Sequence, residues 1–147
     1  MREAFVTLHP LAVIVVALIG FVLGWVWYSP LLFAKPWMRE MGYDPADSAK
    51  MQEMRKSAGP AYGASFLAAI LTAFILGLFL HWMRVADSPN PLHLALGVAF
   101  HAWLGFTATV QLTGALFTRQ SMKLFAMNTL YQLLCYLAMG AILISWK

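Results

Sequence analysis

Four long stretches of this 147-residue chain carry no Asp, Glu, Lys or Arg: 4–34, 57–83, 88–118 and 124–146. Each exceeds the roughly 20 residues that an α-helix needs to cross a 30 Å hydrocarbon core. Charge is confined between them. Arg2 and Glu3 form the first cluster, 35–56 the second, Arg84 and Asp87 the third, Arg119 and Lys123 the fourth, and Lys147 the last. Only 11% of residues are charged, against about 25% in an ordinary soluble domain, and the mean hydropathy is +0.70. So little charge cannot cover a water-exposed surface. The expected fold class is all-α: a polytopic membrane protein, a single domain with four transmembrane helices in a compact bundle. Membrane lipid is its first partner.

Local signals set the expected boundaries at about 10–28, 61–83, 92–117 and 123–146, with a polar, amphipathic loop over 31–59. Pro10 suits a first helical turn, where its missing N–H leaves no bond unmade. Ser29 before Pro30 marks an exit, because a residue preceding proline avoids the α region. Trp25, Trp27 and Tyr28 read as an interfacial belt rather than a leader-cleavage site. Within the loop, Leu31, Leu32, Phe33, Trp37, Met38 and Met41 mix with Lys35, Arg39 and Glu40, the pattern of a short helix in the headgroup region. Gly42 is its expected C-cap. A second helix is expected over about 45–57, capped by Asp44 with Pro45 in its first turn, and ended by Gly59-Pro60. The short link at 118–122 makes the third and fourth spans antiparallel neighbours.

Lys and Arg counts orient the chain. Arg2, Arg84 and Lys147 share one side, three cations. Lys35, Arg39, Lys50, Arg55, Lys56, Arg119 and Lys123 share the other, seven cations. The bias predicts both termini outside and the 31–59 loop in the cytoplasm. The net charge of +4 is thus topological, and no nucleic-acid partner is expected. Residues 29–39 (SPLLFAKPWMR) and 113–123 (TGALFTRQSMK) match loosely, which raises an internal duplication of two parallel hairpins as one reading and a shared interfacial demand as the other.

Small residues mark helix-packing faces: Gly20 and Gly24 on the first span, Ala69, Ala73 and Gly77 on the second, and Gly97 and Gly105 flanking His101 on the third. The ionisable groups that mark proton relays are missing from the span interiors. His9, His81, His93 and His101 fall toward one membrane face, and His93 and His101 lie within about 80° on one helix. Imidazole binds metal and haem iron, yet no ligand-spacing motif accompanies these four, so neither a metal nor a cofactor is expected. His101 alone lies below the headgroups, suited to a hydrogen bond across a helix crossing. A second polar set comprises Gln111, Asn128, Gln132 and Tyr136. Together with His101 these residues are either interhelical glue, worth about 1 kcal/mol each, or the lining of a polar cavity between the third and fourth spans. Cys135 is the single cysteine, so no intrachain disulfide forms. Ser29 and Ser65 lack histidine and carboxylate partners at their depth, and no enzyme is expected.

The run Trp27-Tyr28-Ser29-Pro30-Leu31-Leu32-Phe33, followed by Lys35 and Trp37, resembles the opening signature of a family of small bacterial membrane proteins, the domain of unknown function 1761. Trp103-Leu104-Gly105-Phe106 resembles its third-helix motif, and Gly140-Ala141-Ile142-Leu143 with Trp146 its ending. The likeness covers essentially the whole chain. Ala34 stands where glycine is expected, and Thr113-Gly114 where an asparagine-containing pair is expected. The resemblance implies four membrane helices in the bacterial inner membrane, and implies no activity, substrate or cofactor. Two functional readings follow. One is a non-catalytic helix-packing module, forming a homo-oligomer or an accessory subunit of a larger membrane complex. The other is a small permeation or ligand-binding unit that uses the polar cavity.

Overall fold

The computed structural model describes residues 9–44 and 46–146, so Arg2, Glu3, Pro45 and Lys147 lie outside the described residues. All regular structure among the described residues is helical. Four helices are long and apolar enough to cross a membrane: α1 (Pro10–Trp27), α3 (Ser48–Trp82), α4 (Pro91–Phe117) and α5 (Met122–Ser145). The short α2 (Ala34–Glu40) joins α1 to α3.

Each boundary has a local cause. Pro10 opens α1, and the Tyr28 N–H closes it on Gly24 O at 2.9 Å. α2 stops because Gly42 turns left-handed at φ +71°, which lets the Tyr43 N–H reach back to Met38 O at 2.9 Å. That six-to-one bond satisfies a carbonyl that the helix end would leave orphaned. Ser121 caps α5 by accepting from the Leu124 N–H at 3.1 Å. Arg84 and Arg119 occupy the left-handed position after α3 and α4, at φ 52° and 54°.

Two expectations about the loop are corrected. The cap of α3 is Asp47, whose carboxylate accepts from the Lys50 N–H at 3.1 Å, whereas the Asp44 carboxylate accepts from the Ala46 N–H within its own turn. And no break occurs at Gly59-Pro60: α3 runs unbroken for 35 residues with Pro60 inside it. Interior proline costs about 3 kcal/mol in a helix, partly through the carbonyl four residues earlier that loses its donor. Here that carbonyl belongs to Lys56, which is exposed and open to solvent or headgroups.

α5 is the hub, packed against α1, α2, α3 and α4. The main core cluster draws Val13 and Val16 from α1, Ala73 and Leu76 from α3, Ala99 and Ala102 from α4, and Met139 from α5. Lipid tails are as apolar as leucine, so close approach and hydrogen bonding must hold these helices together. At Gly140 the approach is to fixed atoms of α4. A Cβ placed there would lie 3.0 Å from Ala99 Cβ and 3.1 Å from Ala95 O. The two stretches compared as a duplication differ in backbone, since 34–40 is helical while Arg119 sits in a left-handed turn.

Candidate functional site

A ladder of side-chain hydrogen bonds ties α1 and α4 to one stretch of α5. From α1, Trp27 Nε1 donates to Met127 O at 3.1 Å and the Tyr28 hydroxyl donates to Asn128 Oδ1 at 2.9 Å. In return the Tyr131 hydroxyl donates to Gly20 O at 3.0 Å. From α4, Trp103 Nε1 donates to Thr129 O at 3.0 Å, and the Thr129 hydroxyl donates to Gln111 Oε1 at 2.9 Å. Thr107 Oγ1 donates to the Tyr136 hydroxyl at 3.0 Å. These bonds replace the water that the polar groups would otherwise need, and in hydrocarbon an unmade one costs several kcal/mol.

Where α1 ends and the 118–121 turn joins α4 to α5, the packing opens into a cleft of about 520 Å³. It is lined by Tyr28, Gln111, Gly114, Ala115, Thr118, Gln120, Phe125, Asn128, Tyr131 and Gln132. None of these residues is charged. Of the five residues expected to share a polar cavity, Gln111, Asn128 and Gln132 line this one. Tyr136 does not, being engaged with Thr107. His101 does not either: it is exposed, and its Nδ1–H donates to Gly97 O of its own helix at 2.7 Å.

The reason for His101 is a π-helical segment, Trp103–Ala108, between the two halves of α4. A π turn takes one residue more than an α turn and shifts the helix phase by roughly 100°. On an uninterrupted α-helix, residues 101 and 111 would lie roughly 80° apart. The added phase turns them to opposite sides, so Gln111 meets α5 while His101 looks away from the bundle. The segment is anchored where it deviates, through the buried Trp103 and through Thr107.

The expected packing glycines also divide. Gly20 and Gly24 face α5. A Cβ at Gly20 would meet Met139 Cε at 3.8 Å, and one at Gly24 would meet the Tyr131 hydroxyl at 2.9 Å. Gly97 and Gly105 face no atom of the described chain within 4 Å of such a Cβ. Among the described residues no group of three or more His, Cys, Asp or Glu side chains could hold a metal.

Tyr28, Thr129 and Tyr131 were absent from the sequence-derived set. Tyr28 reads as belt, and the separation of 100 residues to Asn128 carries no local signal. The signature run nevertheless finds a role. Trp27 lies against Phe33 with ring centroids 4.5 Å apart, and Tyr28 meets Trp37 edge-on at 5.9 Å. Glu40 at the end of α2 accepts from Ser121 Oγ and lies 3.9 Å from Lys123 Nζ. The motif thus folds α2 over the junction of α1 and α5, beside the cleft.

No curated protein and no solved structure matches the chain. The family model described as protein of unknown function (DUF1761) matches residues 11–144, nearly the whole length, and the chain belongs to that family.

Proposed function

We propose that the protein is a non-catalytic membrane unit that binds a small polar molecule in the cleft between α1, α4 and α5. One observation carries this reading: amide side chains from two helices converge on the cleft with their donors uncommitted. Asn128 and Gln111 use their carbonyl ends on Tyr28 and Thr129. Each keeps an NH₂ group with two donors, and Gln132 adds a third amide to the same wall. The cleft therefore suits a solute rich in acceptor oxygens and needs no charge from the protein. In the same reading the chain lies in the bacterial inner membrane with both termini outside and 31–59 in the cytoplasm, supported by the seven-to-three bias of cations, so the cleft opens toward the cytoplasm.

Native mass spectrometry of protein purified in mild detergent tests it. Wild type retains a non-lipid mass that the Asn128→Leu/Gln132→Leu double variant loses. A wild-type protein that carries lipid alone, and whose thermal stability responds to no solute differently from that of the double variant, refutes it. Solute flux into liposomes that falls in the double variant moves the site to the permeation reading.

A second reading is favoured by the outward face of α4. Gly97 and Gly105 leave open space and His101 is exposed on a helix set in lipid, which suits close contact with a second copy or a larger complex. A defined oligomer in the same spectra that dissociates on Gly97→Leu supports it, and a monomer throughout opposes it.

A further inference from the structure

A second cavity, separate from the cleft, lies along α2. It has a volume of about 430 Å³ and is lined by Lys35, Met38, Arg39, Gly42, Tyr43 and Asp44. Lys35 and Arg39 are one helical turn apart on the same face of α2, and both are exposed. Neither is ion-paired among the described residues, because Glu40 is engaged by Ser121 and Lys123. Asp44 closes the other end of the groove. One carboxylate oxygen accepts from the Ala46 N–H, and neither oxygen lies within ion-pair distance of Lys35 or Arg39. Two cations and one anion thus line a single groove without neutralising one another.

The groove also sits at a defined depth. α2 follows the last turn of α1 and is fastened to the first turn of α5, so it lies where two spans leave the hydrocarbon. Leu31, 92% exposed, and Leu32, both just before α2, and Met41 just after it, offer exposed apolar surface at the two ends of the helix. Gly42 leaves the end of the groove open, for a Cβ there would meet nothing within 4 Å. Tyr43, stacked on Trp37 at 6.0 Å, supplies an aromatic wall of the kind that attracts ammonium groups.

We propose that this groove seats the headgroup of an aminophospholipid, with its phosphate against Lys35 and Arg39 and its primary ammonium against Asp44. Charge complementarity selects the occupant. An anionic headgroup without an amine would leave Asp44 facing like charge, and a quaternary ammonium offers Asp44 no hydrogen bond. The exposed leucines and Met41 accommodate the upper part of the acyl chains.

The test is lipid retention in native mass spectra of the full chain, using phosphatidylethanolamine, phosphatidylcholine and phosphatidylglycerol of matched acyl chains at equal mole fraction. The ethanolamine lipid is retained over the choline lipid by about fivefold, the scale of an exposed ion pair. Asp44→Asn abolishes that preference. Lys35→Gln/Arg39→Gln lowers retention of all three lipids by about thirtyfold, given the attraction of each cation for a headgroup phosphate. Arg119→Gln, a cation on the same side but outside the groove, leaves retention unchanged. All the substituted residues are exposed, and circular dichroism of each variant confirms the fold. The proposal is overturned by any of four results: equal retention of ethanolamine and choline lipids, preferred retention of the glycerol lipid, an Asp44→Asn protein with wild-type preference, or an equal loss on Arg119→Gln. Displacement of the lipid by millimolar phosphoethanolamine would assign the groove to a soluble ligand instead and also overturn it.

Discussion

Replacing Gly140 with alanine probes the close crossing of α4 and α5. The added Cβ would lie 3.0 Å from Ala99 Cβ and 3.1 Å from Ala95 O. Carbon atoms prefer about 3.5–4.0 Å, so the shortfall at Ala99 is roughly 0.5–1 Å. Neither neighbour can rotate away, since one is a Cβ fixed to its backbone and the other a helix carbonyl. Relief must come from separating α4 and α5, and a radial gap of that size forfeits about a quarter to a half of each contact's attraction along the seam. Overpacking of this kind costs about 1–3 kcal/mol, and the better helix propensity of alanine returns at most about 1 kcal/mol. Gly140→Ala is therefore destabilising by about 1–2 kcal/mol, read from reversible unfolding in mixed detergent micelles by far-ultraviolet circular dichroism. Gly105→Ala, where the new methyl meets open space, shows no such loss. Ala99→Gly removes the closest obstacle and couples favourably with Gly140→Ala in a double-mutant cycle by about 0.5–1 kcal/mol or more. A Gly140→Ala protein as stable as wild type, or a cycle without coupling, refutes the close-crossing argument.

Three further outcomes follow from the same contacts. Tyr28→Phe removes the hydroxyl that bonds Asn128 and costs about 1 kcal/mol; Asn128→Leu then costs less in that background than in wild type, as the same unfolding assay reads. Trp103→Phe leaves Thr129 O without its indole donor and shrinks a buried side chain, for a loss of about 2 kcal/mol, together with weaker hydrogen-exchange protection over Trp103–Ala108 if that bond anchors the π segment. Arg119→Gly relieves a left-handed φ of 54° and stabilises by about 0.5–1 kcal/mol; a loss in melting temperature would mean that the arginine side chain contributes more than its backbone strain removes.

The four spans were legible because charge clusters so cleanly between them, a property that survives any uncertainty about individual turns. The continuity of α3 was not. Gly59-Pro60 is a local stop signal, and its cost is reduced here because Lys56, whose carbonyl loses its donor, is an exposed residue, which only the fold reveals. Three of the ten residues lining the cleft could be read from amides standing out against apolar neighbours: Gln111, Asn128 and Gln132. The error at His101 and the omission of Tyr28 have different origins. His101 was grouped with the amides as a polar residue below the headgroups, and the π segment at Trp103–Ala108 that turns it away from Gln111 has no compositional mark. Tyr28 was hidden because an interfacial aromatic and a hydrogen-bonding clamp look alike until the partner, 100 residues away, is in place. Gly140 was noted within a family ending, but its close approach to Ala95 and Ala99 depends on a crossing geometry that a single chain of letters does not encode.

The unbroken α3 also has a mechanical consequence. At 1.5 Å per residue its 35 residues extend about 52 Å, well beyond the hydrocarbon core of about 30 Å. The apolar half is gripped by Ala73, Leu76, Gly77, Leu78 and Leu80 in the bundle, whereas 48–58 has no buried residue to hold it. Such a rod behaves as a pointer pivoting at the membrane surface. A tilt change of about 10° at the gripped end sweeps the Ser48 tip through roughly 3 Å over its free length. Movements too small to detect among the packed spans are therefore displayed, enlarged, at the far end of α3, and a spin label or fluorophore at Lys50 is where the motions of this bundle are easiest to see.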